Sequence, residues 1–222
     1  MRTYKYLGAI TALYITVQLV SDATAGKIIQ IASLPFSVSV LYFPLTYIFS
    51  DVLTEVYGYA QSRKVVWLVL LCSVLAGILY QIAVYVPAAV GFMDGAAYVR
   101  VFGSVPRIVC GGWLAVWMGG IANDYVLAKM KVRMQGRYLW MRTIGSTIVG
   151  EGINTVVFYL IALSGILPTN LLFVSILSSW LIKVLIEILF TPITYSVVNH
   201  LKRVEQEDYF DRETNFNPFV LK

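Results

Sequence analysis

The sequence predicts an all-α integral membrane protein of six spanning helices with both termini in the cytoplasm, and three observations carry that prediction. The 222 residues are 59% hydrophobic and only 13% charged, with a mean hydropathy of +0.75, more apolar surface than a soluble domain of this size can bury. The apolar residues gather into six runs of about 17–25, the length needed to cross a hydrocarbon core of about 30 Å. Basic residues alternate between crowded and sparse connections, as the positive-inside rule requires.

The spans lie near 6–22, 40–59, 65–88, 104–124, 143–165 and 171–198, in one transmembrane domain covering 1–222 with a polar cytoplasmic tail over 199–222. The first run lacks a small-residue cleavage site and further spans follow it, so it reads as a retained helix rather than a signal peptide. Residues 28–39 are partly polar, β-branched and interrupted by Pro35, which predicts a short hairpin or irregular excursion before the second helix. Residues 92–103 read as an interfacial segment. The fourth run carries Gly111, Ala115 and Gly119 at four-residue spacing, and the first carries Gly8, Ala12 and Thr16. Such stripes let helix backbones approach closely in lipid. Arg107 lies one turn before Gly111 on the same face and is expected to point into the bundle. Trp67 and Trp140 stand where inner-interface anchors belong.

With the N-terminus inside, thirteen basic residues fall on the inner side and three, Lys27, Arg100 and Arg107, on the outer, with Lys183 buried. The net charge of +5 is thus a topology signal and implies no nucleic-acid partner. The lipid bilayer is the expected partner, and association into a homo-oligomer is left open.

Ionisable residues inside apolar runs are the strongest functional signal, because a charge at bilayer depth costs several kcal/mol and persists where it is paired, lines a cavity or handles a ligand. Helix rise places Asp51, Glu151 and Lys183 each about 17–18 Å below the outer surface, one polar level supplied by three helices. Glu151, Asn154 and Thr155 share a face, as do Lys183 with Glu187 and Asp51 with Glu55. Phe43, Tyr47, Trp113 and Trp117 occupy the same helices, so a flat ring stacked on aromatics and read at its edge by carboxylate, amide and amine would suit these materials. A salt-bridged plug that fixes helix register is the structural alternative. A catalytic assembly has less support, although Glu151, Asn154 and Arg142 could be arranged for the acid–base work of an intramembrane enzyme. The chain has no P-loop, no G-x-S-x-G elbow and no metal-ligand pattern, and its single histidine, His200, falls at the inner end of the last helix. Cys72 and Cys110 lie in apolar runs as small hydrophobes. The expectation is a protein that is not an enzyme and takes neither cofactor nor metal.

The stretch Phe43–Lys64, FPLTYIFSDVLTEVYGYAQSRK, resembles the signature of the queuosine-precursor transporter family, also called the vitamin uptake transporter family. The resemblance continues through Arg107, Asn123-Asp124 and LWMRTIGSTIVGEGINTVVFY (Leu139–Tyr159), and ends with Lys183, Glu187 and Pro192. It implies a six-helix bundle similar to the substrate-binding S-components of energy-coupling-factor transporters. It also implies import, across the cell inner membrane, of 7-deazapurines that feed the tRNA modification queuosine: 7-cyano-7-deazaguanine, 7-aminomethyl-7-deazaguanine or queuine. The chain departs from the family pattern at Asn154-Thr155, where many relatives carry Asp-Thr. On this resemblance Asp51 and Glu151 accept from the base edge, Asn154 adds a polar contact, and Lys183 and Arg107 donate. Phe43, Tyr47 and Trp113 are candidates for stacking. Glu187 and Glu55 orient these groups or relay protons, and Asp124 with Arg142 forms a cytoplasmic gate pair. The competing readings are a vitamin-binding S-component that needs a separate energising module, an intramembrane enzyme, and a structural membrane protein.

Overall fold

The computed structural model describes residues 4–31, 34–103, 105–165 and 168–220, without the side chains of 31, 34, 35, 105–109 and 163. Among the described residues seven α-helices follow in order: α1 (Leu7–Thr24), α2 (Pro44–Tyr57), α3 (Tyr59–Tyr85), α4 (Gly95–Phe102), α5 (Val105–Arg133), α6 (Leu139–Phe158) and α7 (Thr169–Glu205). Between α1 and α2 lies an antiparallel pair, β1 (Ile28–Ile31) and β2 (Leu34–Ser37), in register Ile28 with Ser37 and Ile31 with Leu34. A 3₁₀ turn over Val38–Leu41 leads from this hairpin into α2.

Four of these segments are long and apolar enough to cross a membrane: Leu7–Thr24, Tyr59–Tyr85, Leu139–Ala162 and Thr169–Glu205. Their outer faces carry Leu13, Leu71, Leu75, Ile78, Leu185 and Leu189, all exposed, while Asp51, Glu55, Asp124, Arg142, Glu151 and Glu187 are buried. An apolar exterior around a charged interior is the arrangement that lipid stabilises.

The helix boundaries differ from the sequence reading where local chemistry overrides hydropathy. The apolar run near 40–59 resolves into the 3₁₀ turn and a 14-residue α2. Pro44 at the start of α2 sets the helical φ where no intrahelical N–H is needed. The helix ends at Gly58, whose φ of +85° is open to glycine, and α3 begins at the next residue. A Cβ on Gly58 would also collide with the Tyr209 ring. Twelve of the fourteen α2 residues are buried among α1, α3, α5 and α7, so α2 is the hub of the bundle.

The α5 stripe works as expected. Ala115 is buried, Gly111 faces Ala162, and Gly119 meets Gly150 so closely that a Cβ on Gly150 would stand 2.9 Å from the Gly119 carbonyl oxygen. The α1 stripe does not: Gly8, Ala12 and Thr16 are exposed, because α1 buries Ile10, Tyr14, Gln18 and Ser21 instead. The segment near 92–103 contains the exposed helix α4, and α7 runs through Pro192 to Glu205, seven residues past the expected end.

Both chain ends meet at one end of the bundle. Glu205 accepts from the backbone N–H of Lys5 and Tyr6 at 3.0 and 2.7 Å and from the Tyr57 hydroxyl at 3.0 Å. The tail beyond α7 is an ordered strap. Asp211 accepts from the Tyr59 N–H, Arg63 donates to the carbonyls of Asn215 and Asn217, and the Trp67 indole donates to the Pro218 carbonyl.

Candidate functional site

At the end of the bundle opposite the termini, α1, the 3₁₀ turn that follows the hairpin, α5, α6 and α7 surround a cavity. It holds about 540 Å³ unfilled by protein atoms, counting the part open to the surface. Asp22 and Ser21 enter from α1, Phe43 from the start of α2, Asn154 from α6 and Lys183 from α7. Tyr159 and Ser179 close the far wall through a 2.6 Å hydroxyl contact. Tyr159 opens a π-helical stretch, Tyr159–Leu163, that continues α6, a wide turn of the kind often found at functional sites.

Lys183 organises the floor of the cavity. Its ammonium donates to Glu151 Oε2 at 2.9 Å, Asn154 Oδ1 at 3.1 Å and Thr155 Oγ1 at 3.3 Å. It also sits 4.6 Å from the centre of the Phe43 ring, within cation–π range. The sequence-level face of Glu151, Asn154 and Thr155 is therefore one docking surface for one lysine. Three oxygen acceptors and one ring face thus surround a single side-chain nitrogen.

The other expected members separate by depth. Glu151 is fully buried behind Lys183 and does not line the cavity. Asp51 also lies away from the cavity wall, held by Asn123 Nδ2 at 2.6 Å. Helix α2 is the hub of the bundle, and Asp51 faces α5 instead of the opening. Glu187 is completely buried, with neither carboxylate oxygen hydrogen-bonded, and lies within electrostatic range of Asp51 and Glu151.

The gate pair of Asp124 with Arg142 does not form. Asp124 accepts from Ser50 and Ser62, each at 2.6 Å, while Arg142 forks onto Glu55 at 2.5 and 3.2 Å. The two residues sit on adjacent helices but face different partners, α2 and α3 for Asp124 and the inner end of α2 for Arg142. Glu55 consequently belongs to a charge cluster at the end of the bundle that holds the termini, not to the cavity. Lys202 reaches it at 2.6 Å and Lys131 at 3.6 Å, and both lysines also bind Asp208 of the tail. Burial alone would push the Asp208 carboxyl up, but hydrogen bonds from Lys131 and Lys202 hold it below the usual carboxylate range.

Of the expected stacking rings, Phe43 lines the cavity; Tyr47 packs behind it, centroids 6.0 Å apart, with its hydroxyl on the Gly150 carbonyl. Trp113 is not part of the wall. The Arg107 side chain lies outside the described residues. The sequence reading missed Asp22, Asn123, Lys131 and Lys202 as members of polar clusters. For Asp22 a signal existed, since Gln18 and Asp22 stand four apart and Gln18 Nε2 donates to Asp22 Oδ1 at 2.7 Å.

An apolar outer shell around buried charges, with a cavity open at one end, defines a multi-pass membrane protein. The particular family follows from comparison with known proteins. Residues 37–197 match the family described as "Putative vitamin uptake transporter", and the chain belongs to that family, which is one of transporters and not of enzymes. The chain is 28% identical over 176 residues to the "Probable queuosine precursor transporter" of Bacillus subtilis (strain 168), covering 77% of this chain and 75% of the relative. It is 24% identical over 120 residues to the "Queuosine precursor transporter" of Escherichia coli (strain K12), covering 54% and 52%. No solved structure matches.

Proposed function

We propose that this protein imports 7-deazapurine precursors of queuosine across the cell inner membrane, binding the base within the cavity above Lys183. The observation that carries the reading is the cavity floor, where an ammonium, an amide and an aromatic face converge between membrane-length helices. Likeness to relatives named for queuosine precursors supports the substrate class. A planar base fits this chemistry: its ring stacks on Phe43, and the unpaired Asn154 Nδ2 donates to an acceptor at its edge, beside the Lys183 charge. Glu151 and Asp51 support the site from behind, Glu151 by fixing Lys183 and Asp51 through the hub helix.

The proposed topology keeps six spans with both termini cytoplasmic, α2 and α5 joining the four strongly apolar helices. At about 1.5 Å per residue α5 is about 43 Å long, enough to cross. The 14-residue α2 is short, about 21 Å, and is shielded from lipid by its neighbours, which is where a short or polar span is tolerated.

The test uses bacteria unable to make queuosine precursors and lacking their own importer. Expressing this chain and supplying each 7-deazapurine at low concentration is expected to restore queuosine in tRNA. Glu151→Gln, which releases Lys183 from its ion pair, is expected to reduce that restoration strongly. Absence of queuosine with every precursor, with the protein present in the membrane, refutes the reading.

A further inference from the structure

We propose that Asp22 is the carboxylate that reads the amino-bearing edge of the transported base, and hence the residue that sets preference for a 2-amino purine-like ring. The proposal rests on the deazapurine reading above and adds to it a specificity determinant.

Four carboxylates, Asp22, Asp51, Glu151 and Glu187, come from the helices nearest the cavity floor; Glu187 has neither oxygen hydrogen-bonded but lies behind the wall, and two of the others are engaged there. Glu151 is bound by Lys183, and Asp51 by Asn123; neither lines the cavity. Asp22, in the last turn of α1, does line it. Gln18 holds its Oδ1 at 2.7 Å, which orients the carboxylate, and Oδ2 is buried without a hydrogen-bond partner. Among the described residues no cation pairs with Asp22, so its acceptor capacity is not consumed by an ion pair. The Ser73 hydroxyl stands close to the same carboxylate.

Across the cavity the complementary group is also unused. Lys183 can only donate, so Asn154 must turn its oxygen toward Lys183, and its Nδ2 then faces away. That nitrogen is buried without a partner as well. The wall therefore offers one free acceptor on α1 and one free donor on α6. A buried polar group left unmatched is costly, and a ligand that matches it recovers that cost. A guanine-like edge carries two adjacent donors, N1–H and the 2-amino group, beside the O6 acceptor. Asp22 can accept from both donors, since a carboxylate has about four lone-pair sites, while Asn154 Nδ2, the donor left unpaired, donates to O6. An adenine-like edge presents an acceptor at N1 toward the carboxylate and is rejected on the same ground.

The deciding experiment is equilibrium binding to the purified, detergent-solubilised full chain, with 7-cyano-7-deazaguanine and its analogue lacking the 2-amino group as probes. The wild type is expected to bind the amino-bearing base about tenfold or more tightly, the worth of one charge-assisted hydrogen bond. Asp22→Asn is expected to weaken that base about tenfold to a hundredfold and to equalise the two probes. Asp22→Glu keeps the charge on a longer arm and is expected to retain a reduced preference. Glu151→Gln is expected to weaken both probes alike. Unchanged preference in Asp22→Asn overturns the assignment and leaves the transport reading standing. Equal binding of both probes by the wild type overturns it without need of any variant. Failure of the wild type to bind either probe sinks the transport reading and this assignment together.

Discussion

At the residue scale the molecule turns on Lys183, a single ammonium that donates to Glu151, Asn154 and Thr155 at once. Removing a partner from a buried ion pair leaves an uncompensated charge, which costs about 3–5 kcal/mol, whereas removing both charges is close to neutral. Lys183→Met is therefore expected to lower thermal stability sharply, and the double variant Lys183→Met with Glu151→Gln to recover most of it. Melting of the two proteins in detergent checks this; equal losses would mean that the pair is not the stabilising element. These residues were legible because charge inside an apolar run is rare and helical spacing assigns a face. Asp22 escaped because the expected first span stopped at 22, which turned a cavity residue into a boundary residue. The Arg142 partner escaped because spacing within one helix says nothing about which residue of another helix it meets: Glu55 on α2 and Asp124 on α5 were both acids near the inner side.

At the element scale the α5–α6 seam depends on backbone approach at Gly119 and Gly150. A methyl group at 150 would stand 2.6 Å from Asn123 Cβ and 2.9 Å from the Gly119 carbonyl oxygen, so the helices must separate. Gly150→Ala is expected to destabilise by about 1–3 kcal/mol, the usual cost of overpacking. It should also disturb the cavity, because Asn123 holds Asp51 and Gly150 accepts from Tyr47. A melting temperature indistinguishable from wild type would show that the seam relaxes freely. The small-residue spacing of α5 revealed this contact in the sequence, as β-branched residues around Pro35 revealed the hairpin. The short α2 was not readable, because hydropathy averages over a window and merges the 3₁₀ turn, α2 and Gly58 into one run. Chain reversal at Gly58 depends on one backbone angle, φ +85°, and on the Tyr209 ring that covers it, and neither has a hydropathy signature.

On the scale of the whole molecule, the end holding the termini is sealed by charge and the opposite end is open to solute. The seal comprises Glu55 with Arg142, Lys131 and Lys202, capped by Asp208 as the tail turns back over α2 and α3. Asp208 is the most exposed member, at 46% against 21% for Lys202, so proton exchange reaches it most readily. Its carboxyl is held below the usual range in the folded protein. A depressed carboxylate stabilises fully above its unfolded value, about 3.9, and that contribution disappears as pH falls through the lower folded value. Strap docking is therefore expected to hold from neutral pH down to about 4 and to loosen only below it. Trp67 reports the event, because its indole donates to the Pro218 carbonyl and its ring packs 6.2 Å from that of Phe219. The fluorescence difference between the protein and its Trp67→Phe variant should stay flat across that range and shift in acid. Asp208→Asn should show the loosened signal already at neutral pH and lack the acid step. A transition near pH 6–7 in the wild type, preserved in Asp208→Asn, would assign control of the strap to another group and remove Asp208 from the seal.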